Sequence, residues 1–569
     1  MNSLLIAVGA AIFYVIAYHT YGKYIARKIF EVSLKNVCPS TELRDDVDFV
    51  PTPKKVLFGH HFASIAGTGP IVGPAIAVIW GWVPALLWVL LGSVFMGAVH
   101  DFGALIISLR NQGKSIGDIA GDLISPRVKT LFLLIIFFLN LIVIAIFGVV
   151  IAACFSLFPD SVFPIWVQIP IAIILGKIIM KNGDENSRFA KIAVLISVII
   201  MYGTIFVGTK MPLEMPEDMG IDPVKIWVIL LLIYAYIASI LPVQTLLQPR
   251  DFLNSYQLII SLVLLAVGVV VAHPTMVAPE VNTNVSGALS FMPMIFVTIA
   301  CGAISGFHSL VASGTSSKQC LNEHDAMFIG YGSMLTEGML AVFVIIACCA
   351  GLGLGFEKNG EFLTGANAFN AQYADWTALK GLAAKLNAFI TGSSNMIAKT
   401  GIPFQWATTI MGVFIAAFAA TTLDSATRIQ RYIVGELAMT AKMPFLAKKH
   451  PATLIAVGSA LGLAFVDGTG KGAAALWPLF GSLNQLLSGL ALLVLTIYLA
   501  SRKKNYWLCA VPMVFMFVMT FWAMEIKITD FYSKNNYLLL AISVIIIIFQ
   551  IWMMIESCFV FRKIIKSKK

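Results

Sequence analysis

The run from Phe62 to Trp82, FASIAGTGPIVGPAIAVIWGW, carries no charge over 21 residues. That is enough to cross a bilayer as a helix. Yet Gly67-Thr68-Gly69-Pro70 and Gly73-Pro74 sit inside it. Each proline removes a backbone donor and clashes with the turn before it, and each glycine adds backbone freedom that a helix interior disfavours. Within a membrane, freed amides and carbonyls are tolerated only where protein or a watery cavity satisfies them. Helices broken at mid-bilayer build substrate and ion sites in many secondary transporters. A proline-kinked packing helix is the alternative reading of the same residues.

The rest of the chain fits a membrane setting. It is 59% hydrophobic and 12% charged, with a mean hydropathy of +0.87. An ordinary soluble protein has about 25% charged residues. The net charge of +10 does not point to nucleic acid, because the basic residues are spread through short loops, as membrane orientation requires. Eight cysteines show no CxxC and no Cys/His ligand spacing, so they read as small packing residues and no metal is expected. The first helix lacks a basic leader and an A-x-A site, so it does not read as a cleaved signal peptide.

Apolar runs predict an all-α polytopic membrane protein of about 15 transmembrane helices. The spans are 3–17, 62–82, 83–108, 130–156, 163–180, 192–208, 226–247, 256–272, 289–311, 326–353, 402–424, 452–466, 473–499, 506–523 and 536–560. With the N-terminus outside and the C-terminus cytoplasmic, 30 of the 39 Lys and Arg fall on the inside and nine on the outside. That asymmetry supports the count and the orientation. In the long outside loop, 354–401, residues 366–390 have the pattern of an amphipathic surface helix.

Span seven carries its own interruption near Ser239-Ile240-Leu241-Pro242. Two interrupted helices, five spans apart and oppositely directed, suggest a 5+5 inverted repeat. This divides the chain into an N-terminal helix and cytoplasmic loop (1–61), a transporter core (62–427, halves 62–208 and 226–427), and C-terminal transmembrane helices with a basic tail (428–569).

Several polar residues sit where lipid would penalise them. In span nine, Ser305, His308, Ser309, Ala312, Ser313 and Ser316 share one helical face. They read either as a polar wall of a substrate or cation site or as helix-packing contacts. Ionisable residues within spans are functional candidates by default. His100-Asp101 lies roughly 14 Å along the helix from Arg110, Glu337 is in the middle of span ten, and Asp424 is near the inner end of span eleven. Carboxylates and imidazoles in an apolar surround can exchange protons, which suits a coupling relay. The alternative is a fixed ion pair, such as Asp424 with Arg428 at i+4. His60-His61 reads as a gate at the cytoplasmic end of span two, or as an interfacial helix start. Gly468-Thr469-Gly470-Lys471-Gly472 lacks the spacing of a phosphate loop. No serine-histidine-aspartate set, HExxH or dinucleotide fingerprint is apparent, so the chain does not read as an enzyme and no cofactor is expected.

Three blocks carry a family resemblance: KKVLFGHHFASIAGTGPIVGPAIAVIWGWVPALLW, GAVHDFGALIISLRNQGKSIGDIA, and IACGAISGFHSLVASGTSSKQ followed by IGYGSMLTEGMLAV. They resemble the carbon starvation protein A family over roughly residues 18 to 500. The resemblance implies a bacterial inner-membrane transporter related to the amino acid/polyamine/organocation superfamily, with a LeuT-type core. Some members of that family take up pyruvate with protons and others are associated with peptides. In LeuT-type folds the first broken core helix meets the eighth at a cation site, which here would pair Gly67–Pro70 with the Ser305–Ser313 face.

The expectation is therefore a proton-coupled symporter importing pyruvate or a peptide under carbon starvation. Its partners are that small molecule, a coupling proton or sodium ion, and the lipid bilayer, with no nucleic acid. Substrate is assigned to Gly67, Thr68, Gly69, Pro70, Ser239, Gln244, Ser305, His308 and Ser309. Coupling is assigned to His100, Asp101, Glu337, Ser313 and Asp424, and gating to His60 and His61. Competing readings are a sodium-coupled symporter of the same fold, a membrane nutrient sensor, a channel and an intramembrane enzyme. The sensor lacks a signalling domain, the channel a repeated filter sequence, and the enzyme a visible nucleophile–base pair.

Overall fold

The computed structural model describes residues 1–182, 188–215, 220–376, 382–466, 468–470 and 472–566. Lys471 and the end of the basic tail lie outside the described residues, as do residues 377–381 of the expected surface helix.

Long apolar runs become long helices because a helix satisfies its backbone without water. Among the described residues, 12 helices are long and apolar enough to cross a membrane. They include α1 (Ser3–Ile29), α4 (Trp82–Leu109), α5 (Pro126–Leu157), α6 (Pro159–Ile178), α7 (Lys191–Lys210), α8 (Pro223–Ile240) and α9 (Leu247–Ala272). In the second half are α12 (Glu323–Leu354), α15 (Phe404–Thr440), α17 (Trp477–Ser501), α18 (Trp507–Ser533) and α19 (Tyr537–Lys566). A thirteenth crossing is the pair α2 (Lys54–Ala66) and α3 (Gly69–Trp80), bent by 41° at the predicted interruption.

Two predicted spans take another form. Residues 289–311 are split into α10 (Phe291–Thr298) and α11 (Gly306–Gly314), with an irregular segment between them. Residues 452–466 form α16 (Lys449–Ala464), which is only 16 residues long.

The interruption expected in span seven is a helix end instead. α8 stops at Ile240, and a turn through Thr245 leads into α9. Pro242 has no N–H to give, and Leu241 before it is extended at ψ 151°, as a pre-proline residue prefers. The second broken crossing is therefore α10/α11. The boundaries drawn at 62 and 427 fall inside α2 and α15, both of which run through them.

The long loop after α12 also differs from expectation. It forms a hairpin of β1 (Phe356–Lys358) and β2 (Glu361–Leu363), then α13 (Gly365–Tyr373) and α14 (Leu382–Ala398). α14 is not a surface helix. It buries Leu386, Ala388, Phe389 and Ile390, and packs on α3, α9, α12 and α15. Its apolar stripe finds protein rather than headgroups. Tyr373 at the end of α13 donates to Ala75 O at 2.8 Å, and the Trp376 ring lies tilted against Trp80 with centroids 5.5 Å apart. The loop thus covers one end of the broken helix α3.

Candidate functional site

The site is built where the two broken crossings meet. α2 ends at Ala66, and Gly67 turns the chain with φ 41°. A β-carbon there would lie 2.6 Å from Thr422 Oγ1 and 2.9 Å from the Phe147 ring, so only glycine fits. The Ser64 carbonyl near the helix end accepts from Thr422 Oγ1 at 3.2 Å. Pro70 stands in the first turn of α3, where its missing N–H costs no helical bond. Thr68 Oγ1 is buried with no hydrogen-bond partner.

Gly69 packs directly on Cys301, in the gap between α10 and α11. Beyond that gap, α11 delivers His308 into a cluster of ionisable groups. Asp101 on α4 uses both oxygens: Oδ1 accepts from His100 Nδ1 at 2.7 Å and Oδ2 from His308 Nδ1 at 2.8 Å. The far side of the same ring, His308 Nε2, is 3.2 Å from Glu337 Oε2 of α12. The pair is within ion-pair distance but off the line of a hydrogen bond. Glu337 Oε1 accepts the Gly302 N–H at 3.0 Å. All four side chains are fully buried. One imidazole thus stands between two carboxylates, and the carboxylate of Glu337 is tied to the backbone of the α10/α11 gap. Such a set can hold a proton on the ring or on Glu337.

Ser305 stands at the start of α11. It accepts from Asn484 Nδ2 at 3.0 Å, while Asn484 Oδ1 accepts the Phe307 N–H at 2.9 Å. Ser309 and Ser313 donate to Gly306 O and Ser309 O on their own helix, at 2.7 and 2.6 Å. Ser316 pairs with His61 Nδ1 at 2.8 Å. The polar face of span nine is thus a set of backbone and interhelix contacts around His308.

Asp424 and His60 belong to a second polar network. Asp424 does not pair with Arg428. Arg250 of α9 reaches it at 2.5 Å, and Tyr234 of α8 donates to it at 2.9 Å. Arg428 turns away to Asp48 at 2.9 Å and to the Leu241 carbonyl. α15 is buried on this face, so interhelix partners displace the i+4 pair. His60 Nδ1 meets Asp251 at 2.6 Å. Both histidines are fully buried, because α2 starts at Lys54 and carries them into the bundle. Ser239 lies at the end of α8, its carbonyl taken by Arg431 at 2.9 Å, and Gln244 lies in the turn that follows. Among the described residues, no hydrogen bond joins either to Gly67–Pro70 or His308.

Asp48, in the loop between α1 and α2, is flanked by Arg428, Arg431 and Tyr432. Its partial burial favours the neutral acid, but Arg428, the Tyr432 hydroxyl and Arg431 outweigh it and hold the carboxyl below its ordinary range.

Sequence reasoning missed Cys301, Asn484, Arg250 and Asp251. Asn484-Gln485 inside an apolar helix was a legible signal. Arg250-Asp251 was hidden because the segment around it read as a loop. Cys301 Sγ, a His308 nitrogen and a Glu337 oxygen lie within 4.8 Å of one another, close enough to share a metal ion. A cavity of about 320 Å³ reaches Gly69, Gly73 and Cys301.

The sequence profile of carbon starvation protein CstA matches residues 2–523. The chain belongs to that family. The peptide transporter CstA of Campylobacter jejuni is 34% identical, over 94% of this chain and 82% of its own. The pyruvate/proton symporter BtsT of Escherichia coli is 32% identical, over 93% and 82%. Among solved structures, the manganese transporter of Eremococcus coleocola aligns over 92% of this chain and 99% of its own, with 14% identity and a TM-score of 0.45. The family relationship and the helices together describe a multi-pass membrane transporter.

Proposed function

We propose that this family member is a proton-coupled symporter importing a small nutrient, pyruvate or a peptide, when carbon is scarce. The observation that carries the reading is His308 held between Asp101 and Glu337, with Glu337 bonded to the Gly302 amide beside the Gly69–Cys301 contact. A proton on this set and a substrate at the breaks would act on the same few residues. The first amides of α3 carry partial positive charge, which suits a substrate carboxylate.

In this reading the transporter core is 62–427, of LeuT type, in a bacterial inner membrane. The N-terminus is outside and the C-terminus cytoplasmic. His60 and His61 act as gate residues through Asp251 and Ser316.

Uptake into proteoliposomes tests the reading. Accumulation of labelled pyruvate or a dipeptide should follow an imposed proton gradient and be unaffected by replacing sodium with choline. Accumulation driven by sodium alone would overturn proton coupling. Orientation is tested separately. A cysteine at Thr283 should react with an impermeant reagent added to intact cells, and one at Ser501 should not; the reverse pattern overturns the topology.

A further inference from the structure

Three ligand atoms of different softness converge at the α10/α11 gap. Cys301 Sγ, a ring nitrogen of His308 and a carboxylate oxygen of Glu337 lie within 4.8 Å of one another, and all three residues are buried. Asp101 takes His308 Nδ1, so the nitrogen left is Nε2, which stands 3.2 Å from Glu337 Oε2. Neither Nε2 nor Oε2 has a hydrogen-bond partner. Two polar atoms buried in that way are costly without something between them. A tetrahedral zinc ion with bonds of about 2.0–2.3 Å holds its ligand atoms roughly 3.3–3.7 Å apart, close to the separation seen here.

The groups behind these atoms also suit a metal. Asp101 accepts the His308 Nδ1–H at 2.8 Å, which leaves the lone pair on Nε2. Glu337 Oε1 accepts the Gly302 N–H at 3.0 Å, which leaves Oε2 free. Asn484 Nδ2 donates to Cys301 Sγ at 3.6 Å. Each ligand is thus oriented by a fixed partner, as ligands in metal sites are. The cavity of about 320 Å³ reaches Cys301, giving an ion a way in and a fourth position open to water. No ligand spacing in the sequence announces the set, because the irregular segment before Ser305 separates Cys301 from His308.

We propose that Cys301, His308 and Glu337 form a binding site for a zinc-class divalent ion, and that the bound ion blocks transport. A thiolate, an imidazole and one carboxylate suit zinc and its late first-row neighbours, whereas magnesium and calcium take oxygen ligands. On binding, Cys301 releases its thiol proton to water, and the dication balances the thiolate and the Glu337 carboxylate. The ion ties the α10/α11 gap to α12. It also occupies the two atoms that the coupling reading gives to the proton. The block rests on that reading, and the metal site does not. Zinc is an inhibitor here and not the coupling ion.

The test is metal binding to the purified full-length protein in detergent, with Co2+ as the coloured stand-in for zinc. One Co2+ per chain should bind with a thiolate-to-metal charge-transfer band, and Zn2+ should displace it. Cys301→Ser should abolish the band, while Cys558→Ser, at the exposed cysteine, should keep it. Asp101→Asn, acting through the His308 ring, should weaken binding about 10–100-fold. In proteoliposomes, Zn2+ should inhibit proton-driven uptake and EDTA should reverse the inhibition. Cys301→Ser should need at least about ten-fold more Zn2+, measured against its own uninhibited rate. No band in the wild type, or the same band in Cys301→Ser, would overturn the site and leave proton-driven uptake intact. A Cys301-dependent band in a protein whose uptake ignores saturating Zn2+ would keep the site. It would overturn the block, and with it the assignment of coupling to His308 and Glu337.

Discussion

Gly69 and Cys301 touch where the two interrupted helices cross. A β-carbon on Gly69 would lie 2.4 Å from Cys301 Sγ and 2.6 Å from its Cβ. The Cβ is fixed to the backbone, so the thiol cannot simply swing aside. The contact holds the α2/α3 break against the α10/α11 gap, one residue from the amide that binds Glu337.

Gly69→Ala should push the two breaks apart. Overpacking of this kind costs about 1–3 kcal/mol, and uptake should fall at least ten-fold with a normal amount of protein in the membrane. Cys301→Gly removes both clashing atoms and should restore much of the activity when combined with Gly69→Ala. Uptake by Gly69→Ala at the wild-type rate would show that the contact is incidental.

The Arg250–Asp424 pair is buried and joined by Tyr234. Removing one member of such a pair costs about 3–5 kcal/mol, whereas replacing both with apolar groups is often neutral. Arg250→Met should therefore lower the melting temperature of the purified protein sharply, and Arg250→Met with Asp424→Leu should recover most of the loss. A double variant as unstable as the sum of the singles would mean the network does more than neutralise charge.

Much of this arrangement was readable in the sequence. The break at Gly67–Pro70 follows from Pro70 and the glycines around it, and α2/α3 bends there, whereas Pro74 is carried inside α3. Asp101, Glu337 and His308 were flagged singly as buried ionisable groups, but not as one cluster. Asp101 on α4 lies 207 residues before His308 and meets α11 and α12 only through the fold, which no local pattern encodes. The Ser239–Pro242 signal was read as a mid-helix break because a proline ends a helix and kinks one with the same residues. The true second break, at 299–305, has no proline, and its only glycine before Ser305 is Gly302. Asp424 was given to Arg428 because i+4 spacing is visible in sequence, while Arg250, 174 positions away by number, is not.

Asp48 gives a pH signature outside the membrane. Its folded value lies below the ordinary carboxylate value, so its pairing with Arg428 stabilises the fold above about pH 4 and is lost as pH falls through the folded value. Hydrogen exchange in the loop around Asp48 should rise below about pH 4. Asp48→Asn should show raised exchange already at neutral pH and no further rise on acidification through that pairing. An identical acid response in the variant would assign the effect to another carboxyl.

Cys301, His308 and Glu337 are close enough to share an ion, yet in this account protons occupy His308 and Glu337 during transport. Uptake should therefore survive exhaustive treatment with EDTA and reconstitution in metal-free buffer. Activity lost to the chelator and restored by a divalent transition metal would replace the proton with that ion at this site.

The central claim is that the Asp101–His308–Glu337 set carries the coupling proton. The most direct measurement compares uphill accumulation with counterflow exchange in proteoliposomes holding Asp101→Asn or Glu337→Gln. Each substitution keeps the side-chain shape and fixes the neutral form. At least one should abolish accumulation against a gradient while leaving substrate binding or exchange in place. If both variants still concentrate substrate with the wild-type pH dependence, these carboxylates are structural and the account is wrong about coupling.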